Sequence, residues 1–270
     1  MSSSKQNSMK YAGKIVKGID YIDSNGYLEK SITILKTCKN LRLIGETGTG
    51  KTTLVHKICE SIDSELFETV LTRDTSRWDL LASDTLSKGE TVIRKGIIIA
   101  WLESKRGTLY LDGFNYAESN IVSLIESLGD FRGSIHIPEL NVEYKRNSEH
   151  YLIISYNPSE KSGYSGTFTE NIATIRRFEG LIIDYMNELK ETKHIRKFTK
   201  DSIFARKLVS LARKTRDLYK NGQLNTPLTT GNLINYAKLK DAGMDESDII
   251  EIASSLFKES QRASFKRLWI

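Results

Sequence analysis

The chain has 270 residues, 39% hydrophobic and 27% charged, which suits one large α/β core with a smaller satellite domain and excludes wholesale disorder. No apolar run approaches the ~20 residues that span a bilayer, and the polar, Ser-rich stretch 1–7 lacks the apolar segment of a secretory signal, so a cytoplasmic protein is expected. A net charge of +6 permits contact with nucleic acid without requiring it, and no helix-turn-helix, zinc or RNP signature accompanies that charge.

In chain order, the first strand expected is 40–44. A Gly-rich loop follows it at once, and then a helix from Lys51 to about Ser61. Cys38 and Cys59, one on each side of the loop, show no CxxC or Cys/His spacing, so they read as small apolar residues and no zinc site is expected. Further strands are expected at 68–71, 108–112, 151–155 and 181–184, with hairpins inserted near 85–95 and 133–144. Beyond Asp184 the strand signal stops, and 204–219, 230–242 and 246–257 read as amphipathic helices. Short apolar runs alternating with helical patterns predict an α/β fold, a parallel sheet with helices on both faces. A core over 1–190 and a small C-terminal helical domain over 191–270 are expected.

The loop Gly45-Glu46-Thr47-Gly48-Thr49-Gly50-Lys51-Thr52, with Thr53 after it, is the strongest signal in the chain. Phosphate binding needs many convergent N–H donors with no side chains in the way, which the glycines allow. The helix starting at Lys51 aims its unpaired N–H groups and its dipole at the same anion. Lys51 supplies a point charge to the β- and γ-phosphates and Thr52 a hydroxyl to Mg²⁺; a strand ahead and a helix behind are the context this P-loop needs. The apolar strand Thr108-Leu109-Tyr110-Leu111-Asp112 ends in an acid, and Asp112 is the candidate carboxylate on the magnesium side. Tyr21 and Tyr27 could stack on the base or belong to the core.

Four further segments carry a family resemblance. Trp78-Asp79-Leu80-Leu81-Ala82-Ser83, followed by Gly96 and Ala100, resembles the signature of MoxR-type AAA+ ATPases. Leu111-Asp112-Gly113-Phe114-Asn115 resembles their Walker B segment, Ile154-Ser155-Tyr156-Asn157-Pro158 their sensor-1 strand, and Arg176-Arg177-Phe178 their arginine-finger segment. The wording of the sensor strand, with Asp-Tyr after the Arg-Phe pair, is most similar to the CbbQ/NorQ/NirQ branch, near the GvpN proteins. The resemblance implies ATP with Mg²⁺ as cofactors, a homo-oligomeric ring, commonly a hexamer, and a C-terminal lid. It also implies that Asn157 orients the attacking water or senses the γ-phosphate, and that Arg177, or Arg176 beside it, reaches a neighbour's site. A protein partner acting in trans follows from the family, often one with a von Willebrand factor A domain.

Two departures bear on activity. The Walker B glutamate is replaced by Gly113, removing a general base worth ~10²–10⁴-fold; Glu118 is the nearest substitute in sequence. In the lid, Gly231 stands where the family often has a sensor-2 arginine, with Arg206 as an alternative cation. The expected function is an oligomeric remodelling ATPase with slow turnover. A nucleotide-gated scaffold with little hydrolysis is the second reading and a DNA-directed motor the third.

Overall fold

The structure, a computed structural model, describes residues 11–87, 90–137, 141–157 and 172–269, with the side chains of 83–94 left aside. Residues 1–7, Lys88, Gly89, Leu140 and Pro158 lie outside the described residues.

Five strands form one parallel sheet: β1 (Asn40–Ile44), β2 (Glu65–Val70), β5 (Gly107–Asp112), β8 (His150–Tyr156) and β9 (Glu179–Ile182), in the order β2-β5-β8-β1-β9. Their sequences dictate burial on both faces. Along β5, Leu109 and Leu111 face one core while Tyr110 faces the other; along β8, Leu152 and Ile154 oppose Tyr151 and Ile153. This period of two, with apolar residues on both sides, is what a helix-covered parallel sheet requires. One face packs on α4 (Ile97–Leu102) and α5 (Ser119–Gly129), the other on α1 (Tyr27–Cys38) and α2 (Lys51–Ser61). All six residues of α4, Ile-Ile-Ile-Ala-Trp-Leu, are buried. At the outer edge, Lys14 forms an antiparallel bridge to Leu66 of β2.

The strands expected at 68–71 and 181–184 form further back in the chain, at Glu65–Val70 and Glu179–Ile182. Both are edge strands, where a half-exposed pattern blurs the ends. Two antiparallel hairpins are inserted, one pairing β3 (Ala82–Ser87) with β4 (Glu90–Lys95), the other β6 (Ser134–Ile137) with β7 (Val142–Lys145). The short α3 (Arg77–Leu81) leads into the first, its start fixed by a capping box between Ser76 and Asp79. The short α6 (Ile172–Arg177) precedes β9.

From Glu188 onward the described chain is helical: α7 (Glu188–Ile195), α8 (Ser202–Lys220), α9 (Thr230–Asp241), α10 (Glu246–Ser254) and α11 (Glu259–Arg267). These helices enclose a core of their own, built on Phe204, Leu208, Leu211, Leu233, Ile249 and Phe265. Asp201 caps α8 by accepting from the amides of Ile203 and Phe204. A buried ion pair lies within this unit: Arg216 donates to both carboxylate oxygens of Glu191, at 2.7 and 2.8 Å. No helix among the described residues is long and apolar enough to cross a membrane.

Glu191 and Arg216 are both buried, so removing one strands the other's charge in a low dielectric. Glu191→Ala is expected to destabilise the chain by about 3–5 kcal/mol in denaturant unfolding. Asp20→Ala, which breaks the half-exposed pair of Asp20 with Lys197, should cost less than about 1 kcal/mol.

Candidate functional site

The loop after β1 sits where the interior of a parallel sheet opens. The Gly45 amide donates to the Tyr156 carbonyl of β8 (3.1 Å), and beyond Ile44 the chain turns through 45–50 into α2. The Lys51 ammonium folds back over this loop, donating to the carbonyls of Gly45 (2.6 Å) and Glu46 (3.1 Å) and to Asn157 Oδ1 (3.0 Å). Burial lowers the pKa of Lys51 to about 8, against the opposing pull of Asp112 and Glu46. An anion arriving beside it favours the charged form and raises that pKa again. Asn157 is the residue after β8, so the lysine spans two neighbouring strand ends.

Asp112 closes β5 next door. Its Oδ2 accepts from the Thr52 hydroxyl at 3.4 Å, and its Oδ1 accepts from the Ser155 hydroxyl. Ser155 also accepts from the Gly113 amide (3.3 Å), locking the end of β5 to β8. Ser155 has no role that the sequence alone assigns; the one aliphatic hydroxyl in an otherwise apolar strand is its signal. Gly113 itself is left-handed, with φ +72°, and a Cβ there would lie 3.3 Å from the Leu71 carbonyl. The backbone therefore turns at this position in a way a glutamate resists. Glu118 stands exposed at the N-terminal flank of α5 without a side-chain capping bond, and does not line the cleft.

The cleft above the loop has a volume of about 560 Å³. Thr47 to Thr53, Asp112, Gly113 and Asn157 form its floor, while Gly45 and Glu46 lie beneath, offering their carbonyls to Lys51. Asp20, Tyr21 and Ile22 from the N-terminal segment also line the cleft, together with Asp184, Met186, His194, Thr230, Gly231 and Ile234 from the lid side. Tyr21 and Tyr27 both line it, and the Tyr27 hydroxyl accepts from Asn25 and from the Asp184 amide, which makes it a joint between segments. Burial holds the His194 imidazole below its ordinary pKa. The lid wall was not legible as a site, because nothing in the sequence links His194 or Met186 to a loop so far upstream.

Gly231 lies at the start of α9 on the cleft wall and brings no side chain. Arg206 is exposed on α8, outside the cleft. Arg176 and Arg177 lie at the far end of the sheet: the Arg177 carbonyl accepts from the Asn40 amide at the first residue of β1. The length of β1, about 16 Å at 3.3 Å per residue, thus separates Arg177 from its own phosphate loop. The Arg177 side chain donates to the Ala173 carbonyl (2.9 Å), and its Nε is buried without a partner among the described residues.

Comparison with known proteins adds the lineage. Residues 40–178 match the AAA domain of the dynein-related subfamily, and residues 196–256 match the C-terminal domain of CbbQ/NirQ/NorQ proteins. The chain is a MoxR-type AAA+ ATPase of the CbbQ/NorQ branch. Uncharacterized proteins from several Staphylococcus aureus strains are 25% identical over 194 residues, covering 69% of this chain and 72% of theirs. Midasin of Dictyostelium discoideum is 26% identical over 148 residues, which is 53% of this AAA+ chain but 2% of midasin. A crystal structure from Cytophaga hutchinsonii, of a protein assigned as an ATPase, shares the fold with a TM-score of 0.51 at 16% identity; the match spans 92% of this chain and 89% of that one.

The left-handed backbone at Gly113 predicts that Gly113→Ala lowers unfolding free energy by about 1–2 kcal/mol, measured by chemical denaturation. Gly113→Glu should carry at least the same cost, so a gain in turnover from it is not expected.

Proposed function

We propose that this chain binds ATP with Mg²⁺ in the cleft and acts as an oligomeric, cytoplasmic remodelling ATPase on a partner protein. The observation that carries this reading is the meeting of Lys51, Asn157, Thr52 and Asp112 from three strand ends over one Gly-rich loop. In this reading residues 1–190 are the nucleotide-binding core and 191–270 the lid. Gly45, Glu46, Thr47, Gly48, Thr49, Gly50, Thr52 and Thr53 wrap the phosphates, and Lys51 exchanges its carbonyl partners for phosphate oxygens. The facing hydroxyl of Thr52 and carboxylate of Asp112 are the hard oxygen donors that suit Mg²⁺. That ion, when bound, offsets phosphate charge. Asn157, released from Lys51, orients the attacking water. Arg177, too far from its own loop, serves the site of the next subunit, where such a finger is worth ~10³–10⁵ in rate. Ring assembly, hexameric in the family pattern, is what brings it there. The partner is a protein, in that pattern one with a von Willebrand factor A domain.

A second reading, a nucleotide-gated scaffold with little hydrolysis, draws on one specific observation. Among the described residues no glutamate lines the cleft, and the acids that do are Asp20, Asp112 and Asp184. Asp20 is paired with Lys197, and Asp112 faces Thr52 and Ser155. Slow turnover is therefore expected even in the assembled ring.

Two inactive variants test the shared site. Lys51→Ala should lose ATP binding in a calorimetric titration, whereas Arg177→Ala should keep it and lose turnover. Mixed together they should regain turnover that neither has alone, since one supplies the loop and the other the finger. No recovery on mixing, with both variants assembled, argues against Arg177 acting across subunits.

A further inference from the structure

We propose that Tyr185 is a positioning residue that ties the phosphate loop to the helical lid, so that nucleotide at the loop sets the orientation of α9. This inference rests on the nucleotide-binding reading above. Tyr185 lies in the connection between β9 and α7, and its hydroxyl donates to the Thr47 carbonyl of the phosphate loop at 2.7 Å. The Arg216 guanidinium lies over the Tyr185 ring, 3.7 Å from its centroid, close enough for stacking and cation–π attraction.

Arg216 is in turn fixed from every side. Its Nε donates to the Leu228 carbonyl (2.9 Å), and its two terminal nitrogens hold both oxygens of Glu191. Glu191 Oε1 also accepts from the hydroxyl of Thr230, the first residue of α9, at 2.7 Å. Thr215 fixes the same entry by accepting from the Leu228 amide (3.1 Å). Thr229, the cap of α9, then returns to the loop: a Cβ on Gly48 would lie 2.4 Å from Thr229 Cβ. The contacts close a circuit from Thr47 through Tyr185, Arg216, Glu191 and Thr230–Thr229 to Gly48.

The consequence follows from where Gly231 sits. Beside this circuit, on the cleft wall, the lid offers no side chain at Gly231 to a nucleotide phosphate. The circuit instead grips the backbone that wraps the phosphates. A loop that reshapes around an anion moves the Thr47 carbonyl and the Gly48 Cα, and both pull on the entry to α9. Tyr185 acts through Thr47 and Arg216, so its role is positioning.

Tyr185→Phe removes the hydroxyl and leaves the ring under Arg216, so the chain should still fold, its melting temperature falling by no more than the few degrees one hydrogen bond is worth. Hydrogen exchange of residues 229–233 is measured with and without ATP in full-length parent and variant, alongside ATP affinity. The parent should show ATP-dependent protection there. The variant should lose most of that protection and bind ATP about 3- to 10-fold more weakly, the range one hydrogen bond spans. Equal protection and equal affinity in the variant would overturn the proposal while leaving the nucleotide site intact. Parent protein that fails to bind ATP would overturn both readings. A lower melting temperature with ATP-dependent protection unchanged would assign Tyr185 a purely structural role and also overturn it.

Discussion

All five strands of the sheet run the same way, and β1 lies inside it, with β8 on one side and β9 on the other. That one constraint brings the rest together. Parallel strands deliver all their C-terminal ends to a single rim, so the loop after β1, Asp112 at the end of β5, Asn157 after β8 and the connection after β9 meet there. Ligands of open α/β sheets bind at this rim for the same reason. The opposite rim holds the start of β1, and with it Arg177. The chain is thus polar: it presents a cleft at one end of its strands and a cation at the other.

Lys51 shows what the rim costs. A buried ammonium beside a loop of carbonyls is poorly solvated, and its pKa falls to about 8 as a result. The Gly45 and Glu46 carbonyls and Asn157 compensate in part. A polyphosphate is a better partner than any of them, which makes the site selective for anions before any contact with a base. On the proposed reading, binding frees Asn157 and the loop carbonyls together. The same carbonyl row continues to Thr47, where the lid takes hold.

Much of this was legible in the sequence because the signals were local. The unit β1–loop–α2 occupies the residues expected of it, since turn glycines and an apolar strand mark it within about 20 positions. Asp112 was found because a short apolar run stops at it, and Asn157 because its segment resembles the family's sensor-1 strand. The lid helices α8 and α9 were read from their apolar stripes. What stayed hidden depends on contacts between distant residues. The pairing of Glu191 with Arg216 joins positions on different helices, and neither neighbourhood hints at the other. Tyr185 was visible as part of a family phrase, yet its contact with Thr47 spans more than a hundred residues. The run Ile97–Leu102 carries β-branched residues and no helical period, and it became a helix because α4 is buried all round. The sequence also marked Gly113 as a missing side chain, whereas the fold adds a left-handed turn that explains why a side chain is unwelcome there.

The most direct test is steady-state ATP turnover across a protein concentration series, with Lys51→Ala as the blank. The account predicts slow turnover per subunit that rises as the protein assembles and disappears in the variant. Turnover that is independent of concentration and persists in Lys51→Ala would contradict it, because neither the loop nor a neighbour's arginine would then be needed.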